Sequence, residues 1–146
     1  MTGPQVFRVA LDMPLRRVFD YLPPKPSAQA PSGPALEPGA RVEIEPGVRV
    51  RVPFGRQRLV GIVLETASSS EVPSERLKPI LEVLDPRPIL DTAALGLLRW
   101  AAEYYHHPIG EVFSAALPKA LRLGASSSNT EERWSEIGRA SCRERV

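Results

Sequence analysis

The sequence lacks the features that define most disulfide, zinc and nucleotide-hydrolysing proteins. Its 146 residues contain one cysteine, Cys142, which excludes an internal disulfide and any zinc site built from several cysteines. Neither a GxxxxGK[ST] phosphate loop nor a GxGxxG motif occurs, so we do not expect this chain to hydrolyse nucleotides. No apolar run approaches the ~20 residues that span a bilayer, and Met1 to Arg8 lacks the pattern of a signal peptide. We therefore expect a cytoplasmic protein with no membrane partner.

The chain also has little excess charge of either sign. The chain has 19 basic and 17 acidic residues, a formal net charge of +2. Proteins that bind DNA without regard to sequence usually carry a denser basic field. Any contact with nucleic acid should therefore be local.

Proline is abundant, and it divides the chain. The 16 prolines argue for short strands and turns and against long helices. The segment from about 23 to 38, PPKPSAQAPSGPALEP, predicts a solvated insertion loop. We expect one domain over 1–123, a linker over 124–135, and a tail over 136–146 that resembles a translated sequencing adapter.

The chain is organised around residues 48–65, VRVRVPFGRQRLVGIVLE. Val48, Val50 and Val52 alternate with arginines, which predicts a strand buried on one face only. The apolar run from Leu59 to Leu64 predicts a strand buried on both faces. Between them, Pro53-Phe54-Gly55 predicts a turn, so the stretch is expected to form a hairpin.

Shorter elements flank this hairpin. Alternation predicts a strand over 5–11, a short strand or bend over 16–22, and a last strand over 80–84. A helix capped by Asp91 or Thr92 should run to Tyr105, with a core stripe of Leu95, Leu98, Ala102 and Tyr105 that Ala94, Leu97 and Ala101 widen. Two short helical pieces are expected over 111–117 and 119–123. The pattern predicts a small sheet or barrel followed by helices.

Few polar residues suggest chemistry. Asp20 lies between Phe19 and Tyr21, and it is either a ligand-binding carboxylate or a solvated edge residue. Lys78, directly before Pro79, is either a ligand contact or a surface lysine. His106-His107 would point about 100° apart on a helix, so packing or a helix C-terminal role is favoured over a metal site. A small enzyme using Asp20 with one of these histidines remains an alternative, although no spacing supports it.

Five short motifs, taken in order, resemble a known family. They are FDY at 19–21, RVPFGR at 51–56, GIV at 61–63, LKP at 77–79 and WAAEYYHHPIG at 100–110. Together they resemble the N-terminal region of the replication-restart helicase family of primosomal protein N′, PriA, from about Val6 to Trp134. This resemblance implies a 3′ DNA-binding domain. With the pattern above, we expect an α+β, mainly β, OB-like or β-barrel-type sheet domain followed by short C-terminal helices.

The resemblance also implies a site that grips the 3′-terminal nucleotide of the nascent leading strand at a stalled or repaired fork. The family's pocket carries over onto five residues: Phe19, Asp20, Phe54, Gly55 and Lys78. Arg56 and Arg58 are either auxiliary phosphate contacts or part of a solvated turn. No catalytic residue is implied.

Partners and cofactors follow from the same resemblance. The expected ligand is forked or single-stranded DNA with a free 3′ end. Contacts with primosome proteins and single-stranded DNA-binding protein would be made by the full-length parent, an ATP-dependent 3′–5′ helicase. ATP, magnesium and zinc are expected only in its downstream domains, so no cofactor, metal or enzymatic activity is expected here. The alternative is a protein-interaction module that docks on other domains of the parent without a ligand of its own.

Overall fold

The computed structural model describes residues 5–25 and 43–127. Strands precede helices along this part of the chain. The elements are β1 (Val6–Leu11), β2 (Phe19–Tyr21), β3 (Arg49–Phe54), β4 (Gln57–Ala67), a 3₁₀ turn (Ser74–Arg76), β5 (Glu82–Val83), α1 (Thr92–Tyr104), α2 (Ile109–Ala115) and α3 (Lys119–Arg122).

The strands form one sheet in the order β2-β1-β4-β3-β5, and every neighbouring pair is antiparallel. A separate parallel bridge joins Leu22, just after β2, to Pro79, on the segment that leads into β5. This bridge links the two edges of the sheet and draws it toward a barrel. The expected fold class, a small, mainly β, OB-like domain with short trailing helices, is confirmed.

The sheet is covered on both faces. One face carries the main core of ten buried side chains, with valines from β1, β3 and β4 at its centre. The other face packs on α1 and α2 through a second cluster that includes Ile62, Leu64, Leu95 and Phe113. Because alternate residues of β4 enter the two clusters, the prediction that this strand is buried on both faces is confirmed.

The hairpin of β3 and β4 turns later than the sequence pattern predicted. Phe54 pairs with Gln57, so the loop contains only Gly55 and Arg56, and Pro53 remains within β3. Proline is tolerated there because β5 pairs only with Val50 and Arg51, so among the described residues no strand pairs with the far end of β3 on that side.

Arg49 overturns the expectation that β3 is buried on one face only. Its side chain is 0% exposed, although the alternation placed it on the polar face. It donates hydrogen bonds to the Asp85 carboxylate and, through Nη1, to the carbonyl of Leu121 at 2.7 Å. The loop after β5 and helix α3 therefore cover the second face of β3.

Helix α1 begins as predicted. The Asp91 carboxylate accepts a hydrogen bond from the Ala94 amide at 2.7 Å and caps the first turn. Leu95 and Ala102 are buried, whereas Leu97 and Tyr105 are 62% and 69% exposed, so both were wrongly assigned to the apolar stripe. The stripe is narrower than predicted, because only one side of α1 meets the sheet.

Large aromatic residues stand on the exposed side of α1. Trp100 stacks on Tyr104 at 4.9 Å, and Tyr104 meets Tyr105 edge-to-face at 5.0 Å between ring centroids. All three side chains are exposed.

The passage from α1 to α2 explains part of the motif at 100–110. The left-handed conformation of His106, with φ of 50°, ends α1, and Pro108 precedes the first turn of α2. A β-carbon on Gly110 would lie 1.5 Å from the carbonyl oxygen of Leu11. Glycine is therefore required here, because the backbone of α2 touches the end of β1.

The remaining predictions have mixed outcomes. The predicted last strand over 80–84 is shorter, since only Glu82 and Val83 pair in β5. Most of the insertion loop (26–38), the linker beyond residue 127 and the adapter-like tail over 136–146 lie outside the described residues.

Candidate functional site

Two aromatic rings meet where β2 approaches the β3–β4 hairpin. The rings of Phe19 in β2 and Phe54 at the end of β3 lie 5.1 Å apart at an interplanar angle of 82°, an edge-to-face contact. Both side chains are half-buried at the margin of the main core. We call these two residues the aromatic pair.

Tyr21 provides a second link between the same strands. Its hydroxyl donates a hydrogen bond to the carbonyl of Pro53 at 3.0 Å. Burial raises the pKa of the Tyr21 hydroxyl to about 12, so it remains a donor at neutral pH. This bond fixes the end of β2 beside the residue that precedes Phe54.

Asp20 is held by other polar groups. The Ser70 hydroxyl donates a hydrogen bond to Oδ2 of Asp20 and accepts one from the Val72 amide at 3.0 Å. Oδ1 of Asp20 lies 3.9 Å from Nε of Arg8, which is the residue opposite it on β1. The Asp20 side chain is 14% exposed, so it is a partnered carboxylate and not a fully solvated one.

Arg8 ties Asp20 into a wider charged group on the sheet. The Arg8 guanidinium also pairs with Glu65 of β4, and Glu65 lies 3.5 Å from Arg99 of α1. Arg99 additionally donates to the carbonyl of Leu64 at 3.1 Å. The position of Asp20 is thus fixed through side chains from β1, β4 and α1.

Gly55 is the first residue of the two-residue hairpin loop. Its φ of 59° is the conformation that a type II′ turn needs at that position and that glycine adopts without strain. Within the described part of the chain, nothing lies within 4 Å of a β-carbon placed there, so the space beside Gly55 is open. Arg56 and Arg58, the predicted auxiliary residues, are both exposed on this hairpin.

Lys78 lies beside the other end of β2. Its carbonyl accepts a hydrogen bond from the Leu22 amide at 2.9 Å, and the Leu22 carbonyl accepts one from Ile80 at 3.0 Å. The Lys78 side chain is exposed.

The structure joins the three chain segments that carry the predicted site residues. The aromatic pair connects β2 to the Gly55 loop, and the backbone bonds of Leu22 connect β2 to Lys78. Phe19 and Asp20 do not share a face of the sheet. They are consecutive residues of β2, so their side chains leave opposite faces of that strand. The carboxylate and the aromatic pair are thus neighbours along the backbone, on different faces of the sheet.

The two histidines lie at the end of α1. His107 pairs with Glu111, whereas Asp20 contacts Ser70 and Arg8. Nε2 of His107 lies 3.0 Å from a carboxylate oxygen of Glu111, one turn further along the chain. Within residues 5–25 and 43–127, no three histidine, cysteine or acidic side chains are grouped closely enough to hold a metal ion.

Sequence reasoning missed two residues of this region. Ser70 was not singled out, because its partner Asp20 is 50 positions away in the chain and no local pattern could reveal the contact. Arg17 was not singled out, although its guanidinium carbon lies 5.1 Å from the centre of the Phe19 ring. Residues two apart share a face of an extended chain, and that spacing was a usable signal.

Comparison with known proteins identifies the family. A sequence model described as the 3′ DNA-binding domain (3′BD) of PriA matches residues 8–118. The chain belongs to the PriA 3′BD family. The match contains the whole aromatic pair region, with Asp20, Gly55, Lys78 and Ser70.

Individual relatives agree with this assignment. The chain is 37% identical over 133 residues to the replication restart protein PriA of Haemophilus influenzae, which covers 91% of this chain and 16% of that protein. It is 27% identical over 117 residues to the replication restart protein PriA of Buchnera aphidicola subsp. Schizaphis graminum, covering 80% and 14% respectively. The chain therefore spans only a small part of the relatives' length. Within the described residues, no helix is both long and apolar enough to cross a membrane.

Proposed function

We propose that this 3′BD domain binds the 3′-hydroxyl end of a DNA strand, the nascent leading strand at a stalled or repaired replication fork. Membership of the 3′BD family supports DNA as the ligand. The observation that carries the proposal is the contact between Phe19 and Phe54. It joins the β-strand that bears Asp20 to the loop that bears Gly55, so a DNA end bound around the edge of β2 could meet the aromatic pair on one face of the sheet and Asp20 on the other.

The aromatic pair suits a terminal base of any identity. Stacking of a base on an aromatic side chain contributes about 1–3 kcal/mol and tolerates every base, because each has a π face. The open space beside Gly55 leaves room for a nucleotide against the hairpin loop. Sequence-independent binding of this kind is what a fork-recognition domain requires.

Asp20 supplies the preference for a free end. An ionised carboxylate accepts a charge-assisted hydrogen bond from a 3′-hydroxyl. A 3′-phosphate or a continuing strand would bring negative charge against it, and like charges at close range select against such ligands. Lys78, exposed beside Leu22, would neutralise the phosphate of the terminal nucleotide. A single end needs few cations, in keeping with the formal net charge of +2.

The proposal also covers the protein to which this domain would belong. We propose that the domain is the DNA-binding part of a cytoplasmic replication-restart helicase. ATP, magnesium and zinc, and contacts with primosome proteins and single-stranded DNA-binding protein, would then involve other parts of that protein. Among the described residues, the exposed cluster of Trp100, Tyr104 and Tyr105 favours the alternative, an interaction module that docks on other domains.

The test is fluorescence anisotropy of the 146-residue chain with 5′-labelled single strands that end in a 3′-hydroxyl or a 3′-phosphate. Loss of one charge-assisted hydrogen bond predicts that the 3′-hydroxyl strand binds about tenfold more tightly. Equal binding of both strands would refute end recognition. Failure to bind either strand would favour the interaction module.

A further inference from the structure

Arg17 is an exposed cation beside the aromatic pair. Its guanidinium carbon lies 5.1 Å from the centre of the Phe19 ring, within the range of a cation–π contact. The same ring contacts Phe54 on the hairpin. The contact therefore holds a positive charge next to the surface on which we propose that a base stacks.

The described residues do not neutralise the charge of Arg17. Four other arginines each pair with a carboxylate of a neighbouring element: Arg8, Arg49, Arg51 and Arg99. No acidic side chain among the described residues forms an ion pair with Arg17. Its guanidinium is exposed and can donate to an external anion, and guanidinium geometry suits a phosphate.

Arg17 and Lys78 flank β2 from opposite ends. Arg17 precedes the strand, whereas Lys78 bonds through its backbone to Leu22, the residue that follows it. A strand of this length covers roughly 10 Å, since each residue advances about 3.3 Å. Two cations separated in this way are suited to successive phosphates of a bound strand and not to the same phosphate.

We infer that Arg17 binds the second internucleotide phosphate from the 3′ end, while Lys78 neutralises the first. The inference rests on the proposed function, and it adds the direction in which the DNA strand runs across the site. The bound DNA strand enters past Arg17, runs along the aromatic pair and turns around the edge of β2, so that its 3′ end lies beside Lys78 and meets Asp20 on the opposite face of the sheet. Arg17 is then a DNA-binding residue of the site that extends recognition beyond the terminal nucleotide.

The experiment measures affinity against salt concentration for Arg17→Ala and for Arg16→Ala. Arg16 is the matched control, because it is an exposed arginine at the adjacent position and, among the described residues, the cation–π contact with Phe19 is made by Arg17. Loss of one phosphate contact to a single strand lowers the slope of log K against log salt by about 0.7. We expect this change, with roughly tenfold weaker binding, for Arg17→Ala and not for Arg16→Ala.

Neutral linkages identify the phosphate. One oligonucleotide carries a methylphosphonate at the second linkage from the 3′ end, and another carries it at the first. Arg17→Ala should make no further difference on the strand with the neutral second linkage, and it should keep its full effect on the other strand. Coupling to the first linkage would overturn the strand direction, and identical behaviour of Arg17→Ala and Arg16→Ala would overturn the inference.

The inference and the proposed function can fail separately. If the unaltered chain prefers 3′-hydroxyl ends but Arg17→Ala behaves like Arg16→Ala, only the inference is wrong. If the unaltered chain binds 3′-hydroxyl and 3′-phosphate ends equally, end recognition is wrong, whatever the salt slopes show. Unchanged melting temperatures for both arginine variants would establish that any difference arises in binding.

Discussion

Arg49 and Asp85 form a two-point ion pair in the interior. Nε and Nη2 of Arg49 donate to the two carboxylate oxygens of Asp85 at 2.7 and 2.6 Å, and the side chains are 0% and 1% exposed. The Arg49 amide adds a third bond to Oδ2 at 3.2 Å. The pair joins β3 to the loop after β5, and Nη1 of Arg49 donates to the carbonyl of Leu121 in α3. The Arg49 guanidinium therefore connects three parts of the domain.

Removing one member of this pair should be costly. Asp85→Asn or Arg49→Met leaves a buried charge without its partner, and we expect a loss of about 3–5 kcal/mol in the free energy of unfolding. Urea denaturation measures the loss. The matched control is the pair of Arg51 in β3 and Glu82 in β5, which is partly exposed and contributes about 0–1 kcal/mol. Equal losses from Asp85→Asn and Glu82→Gln would contradict this account.

The same pair predicts sensitivity to acid. Burial raises the pKa of Asp85, but hydrogen bonds from Arg49 and Ser127 and the charge of Arg49 outweigh it, so the pKa of Asp85 lies below its ordinary value of 3.8. Because the folded-state pKa is the lower one, this stabilisation is complete above the unfolded-state value and is lost as the pH falls through the folded-state value. Stability should therefore fall below about pH 4. Asp85→Asn should flatten that part of the curve, and an unchanged acid limb would count against the assignment.

Gly110 and Gly96 offer a paired test of helix packing. Gly110→Ala would place a β-carbon against the backbone of Leu11, and we expect a loss of several kcal/mol, as for other severe overpacking. Gly96 lies inside α1, and none of the described residues comes within 4 Å of a β-carbon placed there, so Gly96→Ala should stabilise by about 0.5–1 kcal/mol. Thermal unfolding of the two variants checks both signs. A tolerated alanine at 110 would show that α2 does not touch β1.

Ser70 should matter for end recognition because it orients Asp20. Ser70→Ala removes the hydroxyl that donates to Oδ2 of Asp20. Loss of this hydrogen bond costs about 1 kcal/mol, which corresponds to a roughly fivefold smaller preference for 3′-hydroxyl over 3′-phosphate ends. Ser69→Ala is the control, since Ser69 is the exposed neighbour in the same loop. Paired anisotropy titrations compare them. If the two variants keep the same preference, Ser70 only supports the loop.

Local pattern was sufficient where the determinants of structure are local. Valine alternation predicted β3, continuous apolar residues predicted β4, and the Asp91 cap with its following periodicity predicted α1. The pattern misplaced the hairpin turn, because proline can stay within a strand at a position where no neighbouring strand among the described residues needs its amide. Turn position was decided by the sheet around the proline and not by the residue itself.

Distant partners decided the rest. Arg49 had the appearance of a surface residue on an alternating strand, and its burial depends on Asp85, 36 positions away. The environment of Asp20 likewise depends on Ser70, in a serine-rich loop without a distinguishing feature. The site residues themselves came from motif resemblance, and their roles in DNA binding stay predictions.

The central claim is that Asp20 distinguishes a free 3′-hydroxyl from a 3′-phosphate, and a thermodynamic cycle tests it directly. The affinities of the unaltered chain, Asp20→Asn and the exposed-residue control Glu103→Gln are measured for both strand ends. We expect a preference of about tenfold for 3′-hydroxyl in the unaltered chain and the control, and none in Asp20→Asn, because a neutral amide does not repel phosphate. A preference that persists unchanged in Asp20→Asn would contradict it.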